Sequence, residues 1–107
     1  MTEVRLCLAT CSGEAAAQRL AHTLVERRLA ACVNIIPRIR SVYRWQGAVH
    51  DDPEAQVVIK TTQDRIEDLR QAIDELHDYD LPEFVVLAVD GGSSEYLDWV
   101  VRETRDE

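Results

Sequence analysis

An α+β domain of β-α-β-β-α-β order with a short terminal helix is predicted by two features of the chain. Apolar residues switch between strand-like runs and helix-like three- and four-residue spacing in that order. Between the second and third strands lies a stretch of alternating residues much longer than a sheet of this size needs.

The first strand is "VRLCLAT", Val4 to Thr10, with Val4, Leu6 and Leu8 on one face. Ser12 is placed to cap the helix that follows, and Glu14 sits in its first turn, where negative charge is favoured. From Gly13 to Leu29, the residues Ala17, Leu20, Ala21, Leu24 and Arg28 recur at helical spacing, and Arg27 and Arg28 close the negative end. "AACVNII" reads as the second strand. Pro37 interrupts it, and because proline cannot donate to a ladder it marks an edge or a bulge. Beyond it Ile39, Ser41, Tyr43 and Trp45 share one face, and Arg40, Val42 and Arg44 the other. Gly47 and the polar "HDDPE" read as a turn and a short loop, after which "AQVVIKT" returns as the second half of a hairpin.

"TTQDRIEDLRQAIDELH" is the clearest helix. Ile66, Leu69, Ile73 and Leu76 form its stripe, Thr61 or Thr62 can cap it, and Arg65 can pair with Asp68. "FVVLAV", Phe84 to Val89, is continuously apolar, as a central strand would be. "DGGSS" breaks the chain and "EYLDWVVRET" forms the terminal helix. The order is that of the ferredoxin-like sandwich, a four-stranded antiparallel sheet with both main helices on one face. The hairpin from Ala31 to Lys60 exceeds the ~5–6 residues that each strand of such a sheet needs, so its end projects as an arm. Tyr43 and Trp45 on an uncovered arm are an aggregation hazard, which points to burial against another copy.

Residues 1–107 are read as one domain, long enough to bury roughly 65% of the unfolded surface. No apolar run approaches the ~20 residues of a membrane span, and no basic-then-apolar leader opens the chain. No membrane association is therefore expected, and the cytoplasm is the expected compartment. A net charge of −8 argues against nucleic acid, which calls for a basic stripe. Eleven of the twelve positive residues are arginine, so Lys60 stands alone. Cys7, Cys11 and Cys32 contain no CxxC pair, which disfavours structural zinc and a disulfide framework and suggests buried thiols. No nucleophile elbow, phosphate-cradling glycine loop or HExxH is present, and Gly91-Gly92 reads as a turn. Cys32 would serve as a nucleophile only beside His77, so an inert thiol is the simpler reading, and no enzymatic activity is expected.

"ERRLAACVNIIPRIRSVYRWQG", "VIKTT", "LHDYDLPEFVVL" and "EYLDWV" resemble the signature segments of the CutA family, the divalent cation tolerance proteins, in order and spacing over essentially the whole chain. The resemblance implies a tightly packed homotrimer in which long arms extend the neighbours' sheets, with Tyr43, Trp45 and Arg44 at the trimer interface. It also implies a role in tolerance of, or response to, divalent metal ions. No cofactor is then required, and Cu(II) or another divalent cation is a candidate ligand. Members with a proposed copper site carry a cysteine just before the threonine that ends the first strand, and a His-His pair at the end of the second helix. Here those positions hold Ala9 and Leu76-His77, which leaves His77. Cys11 lies two residues along the same strand face, ~7 Å away, and Glu83 in "LPE" can supply an oxygen. His77, Glu83 and Cys11 are therefore the expected metal set, and the alternative is that His77 caps its helix. His22 with Glu26, and His50 with Asp51 and Asp52, lack the ligand count that a site needs.

The family's matching segments also gather around a cleft between subunits. The resemblance thus implies that Lys60, Tyr79, Glu83, Tyr96 and Trp99 meet an anion or metabolite there. The same residue types serve equally as interface packing. Three roles stay open: cation tolerance with direct metal binding, a signalling trimer that senses a metabolite, and a structural anchor or assembly partner.

Overall fold

The computed structural model describes residues 2–105. The expected elements form in the expected order: β1 (Val4–Cys11), α1 (Glu14–Glu26), β2 (Cys32–Trp45), β3 (Ala48–Thr62), a 3-10 turn (Gln63–Arg65), α2 (Ile66–Leu76), β4 (Val85–Ala88) and α3 (Ser94–Glu103). The strands pair antiparallel in the order β2-β3-β1-β4, the ferredoxin-like topology. Residues that alternate along the strands give one face to the helices. Cys7, Ala9 and Cys11 of β1, with Ala55, Val57 and Ile59 of β3, are buried with Leu24 of α1 and with Leu69 and Ile73 of α2. On the other face α3 covers one end, where Val100 packs with Val4 and Ala31. Among the described residues no helix is long and apolar enough to cross a membrane.

Local chemistry at the helix ends departs from expectation in three places. Gly13, not Ser12, is the N-cap of α1, and no side chain bonds there. The helix ends at Glu26, short of the expected Leu29 and with no basic residue in its last turn, and Arg28 leaves it at a left-handed φ of 58°. Its N–H then donates to Val25 and that of Leu29 to Leu24, the double closure usually given to glycine. Thr61 and Thr62 do not cap α2. Thr61 is buried and donates to the Leu29 carbonyl at 2.7 Å, and Thr62 donates to Asp64 at 2.7 Å. Leu76 also leaves its predicted stripe for the surface, whereas Arg65 meets Asp68 at 4.0 Å as expected.

The central hairpin is longer than the sequence suggests. The turn is only Gln46 and Gly47, with φ of 51° and 80°, the pair of left-handed residues that matches strand twist. "HDDPE" is therefore strand and not loop, and β3 starts at Ala48. On a two-stranded ribbon the backbone can pair while both rows of side chains face solvent, so charged residues do not stop the strand. Pro37 lies at a bulge in the edge strand β2, where the register passes from Ile36↔Gln56 to Ile39↔Glu54. The extra residue inverts the alternation. Ile39, Ser41, Tyr43 and Trp45 consequently join the face that carries Cys32, Asn34 and Ile36.

β4 is an edge strand of four residues, not the central strand its apolar run suggests. Val85, Val86 and Leu87 are 46%, 39% and 44% exposed. Pairing of Leu8 with Val58 and Val85, and of Leu6 with Leu87, puts these side chains on the face opposite α1 and α2. With Ile36 they form an open apolar face beyond the reach of α3.

Candidate functional site: two polar ends of one open sheet face

At one end of the open face, the loop after α2 folds back along β1 and β3. His77 ends α2 with its side chain only 3% exposed. Its Nε2 meets the carbonyl of Thr10, and its Nδ1 accepts the N–H of Tyr79 at 3.2 Å. Both bonds form on a neutral ring with the proton on Nε2. The Tyr79 ring packs on it at 4.5 Å, and the Tyr79 hydroxyl donates to Glu54 at 2.8 Å. Burial, followed by the bond and charge of Glu54, pushes the ionisation of that phenol up. Glu83 joins the group, with Oε2 buried and without a hydrogen-bond partner among the described residues. Burial and then the Glu54 charge raise its carboxyl above the ordinary range, and a hydrogen bond from Gln56 opposes this.

Cys11 lies behind this loop, buried, where it lines a cavity of about 30 Å³ with His77 and Asp78. Burial, then Asp78 and Glu54, push its thiol up to about 11. Metals take the thiolate, the form that burial disfavours here. Of the expected metal set, the structure brings His77 to Cys11 but does not bring Glu83 to them. Among the described residues no group of three or more His, Cys, Asp or Glu side chains is placed to hold an ion. Nor does His77 cap its own helix through its ring, which bonds to β1 and to the following loop.

At the other end, Lys60 meets Asn34 and the Cys32 thiol, the latter at 3.9 Å. The hydroxyl of Tyr96 has its ionisation raised by burial and then by Cys32 beside it, and its ring packs on Trp99 at 5.6 Å. Cys32 is half-buried, unlike Cys7 and Cys11, and its polar neighbours are Lys60, Asn34 and Tyr96, not His77. The five residues expected to share a cleft separate within one chain. Lys60, Tyr96 and Trp99 form one group, and Tyr79 and Glu83 another. Lys60 and Gln56 are four residues apart on β3, ~13 Å at strand rise, with Val58 between them.

On the arm, Tyr43 and Trp45 remain 42% and 36% exposed and do not fold back onto their own sheet. Tyr43 stacks on His50 at 5.3 Å and donates to Asp52 at 2.6 Å. Arg44 is exposed on the reverse side of the ribbon. Sequence reasoning missed Thr10, Glu54 and Gln56. The last two belong to a row of alternate polar residues, His50, Asp52, Glu54 and Gln56, which is the signal that a strand runs through them.

The sequence model of the CutA1 divalent ion tolerance protein matches residues 5–103. The chain belongs to the CutA family. The divalent-cation tolerance protein CutA of Thermus thermophilus is 45% identical over 97 residues, which cover 91% of this chain and 94% of that one. Protein CutA of Arabidopsis thaliana, described as chloroplastic, is 43% identical over 97 residues, 91% of this chain. This chain spans 53% of that plant relative, about half its length. Among solved structures, CutA of Xylella fastidiosa superposes with a TM-score of 0.94 at 36% identity, over 97% of this chain and 100% of that one. The names carried by the CutA family describe cation tolerance and not a reaction.

Proposed function

We propose that this CutA-family chain acts in divalent-cation tolerance as a homotrimer, in the cytoplasm and without catalytic chemistry of its own. The observation that carries this reading is the open apolar face of Leu6, Leu8, Val58, Ile36, Val85 and Leu87. Contiguous exposed apolar surface of this kind marks an interface. The arm adds the aromatic and arginine side chains in which interfaces are enriched, Tyr43, Trp45 and Arg44. In such an assembly the Lys60 end of one copy and the Tyr79–Glu83 end of another are available to bound a cleft for a small anion or metabolite. Direct Cu(II) coordination by His77, Glu83 and Cys11 is not part of the proposal, because both ring nitrogens of His77 are engaged and no three such donors come together among the described residues.

Light scattering tests the reading. The wild type should have the mass of three 12.2 kDa chains, and Val85→Asp with Leu87→Asp should give single chains that keep their helical circular dichroism. A wild-type protein that runs as single chains at micromolar concentration would sink it.

A further inference from the structure

We propose that the Lys60 ammonium of one copy forms an ion pair with the Glu83 carboxylate of the next copy, so that a group left incomplete within each chain is completed across the interface. The inference rests on the homotrimer reading above and adds to it the contact that sets its direction.

Among the described residues neither group meets a counter-charge. Oε2 of Glu83 is buried there with no hydrogen-bond partner, and the groups that shift its carboxyl include no cation. Glu54 is a like charge, Gln56 is neutral, and the Tyr79 hydroxyl is already given to Glu54. An unpaired buried carboxylate is costly, and its raised ionisation fits that cost. Lys60 meets only the neutral Asn34 and Cys32, with no carboxylate among the described residues. Val58 and ~13 Å of strand keep the two apart within one chain.

The cation is identified by elimination along the sheet. In the paired rungs of the open face, Lys60 is the sole lysine or arginine. Arg40 and Arg44 lie on the reverse of the ribbon, and Arg40 is held by Asp51 at 2.6 Å. Arg5 is on the helix side of β1 and donates to the carbonyls of Thr2 and Val4. A closed ring of identical copies joins two different patches head to tail. One apolar face with the lysine of its paired rungs at one end and a partnerless carboxylate oxygen at the other supplies two such patches.

The test is light scattering over a dilution series on the wild type, Lys60→Glu, Glu83→Lys and the double reversal, with circular dichroism as the check on folding. Each single reversal should move the trimer-to-monomer midpoint to at least about tenfold higher protein concentration, and the double reversal should restore most of the loss. If a reversal fails to fold, Lys60→Met and Glu83→Gln replace it. Each should then weaken assembly, and the second change should add little to the first. A wild type that is monomeric throughout overturns the trimer reading and the pair together. A trimeric wild type with silent single variants, or with no rescue in the double, overturns the pair alone.

Discussion

The imidazole of His77 reaches the carbonyl of Thr10, 67 positions earlier, and so fastens the end of α2 to the end of β1. The same ring accepts the Tyr79 N–H and carries the Tyr79 ring, which in turn bonds Glu54. One buried side chain therefore holds the loop that places Tyr79 on the open face.

Replacing His77 by alanine should remove both bonds and leave a void. The expected loss is about 2–4 kcal/mol in urea unfolding at fixed protein concentration. Cu(II) titrated into the metal-free wild type should give weak, non-saturating heats, unchanged in His77→Ala. One tight ion per chain that vanishes in the variant would show that copper draws the ring away from Thr10, and would refute this account of His77.

The two buried thiols set a limit on alkaline stability. Burial pushes Cys7 up to about 12, and Cys11 is pushed up to about 11, against an unfolded value of 9.0. Below pH 9 both states keep these protons and no pH dependence arises from them. Above it the unfolded chain releases protons that the folded chain retains, so stability falls, by about 1.4 kcal/mol per pH unit for each thiol, until the folded values are reached. Denaturant midpoints measured between pH 8 and 11 should show this decline, shallower in Cys7→Ala. At pH 8 a thiol reagent should label Cys32 first, and rapid labelling of Cys7 would contradict the burial.

Alternation decides which way the arm faces. One alanine inserted between Arg40 and Ser41 and another between Asp52 and Pro53 add a single rung, which should turn Tyr43 and Trp45 to the opposite side. Tyr43 keeps His50 and Asp52, but the aromatic row leaves the open face. The variant should keep its helical signal and, on the proposed trimer, lose the mass of three chains. A trimer of unchanged stability would show that the direction of the aromatic row is immaterial.

Most of the fold was legible because apolar spacing reports strands and helices directly, and an arm was implied by the length of chain between Ala31 and Lys60. What escaped was whatever depends on pairing between distant segments. "HDDPE" carries the residues of a loop, yet it pairs because β2 lies beside it. "FVVLAV" has the composition of an interior strand but lies at an edge, and nothing local to those six residues records that position. The candidate site divided for the same reason. The family resemblance groups Lys60, Tyr79 and Glu83 at a cleft between subunits, whereas within one chain β3 holds Lys60 and the Glu83 neighbourhood at opposite ends of a face. His77 was visible as a special residue, but its partner is a backbone carbonyl, which leaves no mark in a sequence.

The regular alternation of the arm also fixes a unit of length. Between Ile39 and the turn, the ribbon cannot be extended by one rung ahead of Tyr43 without sending that ring to the wrong side, so any tolerated lengthening there comes as two residues in each strand. Each such step adds about 7 Å of reach. The arm is in effect a ruler with coarse divisions, and two chains whose arms differ by a single rung would measure the distance to a neighbour differently and so fail to share one ring.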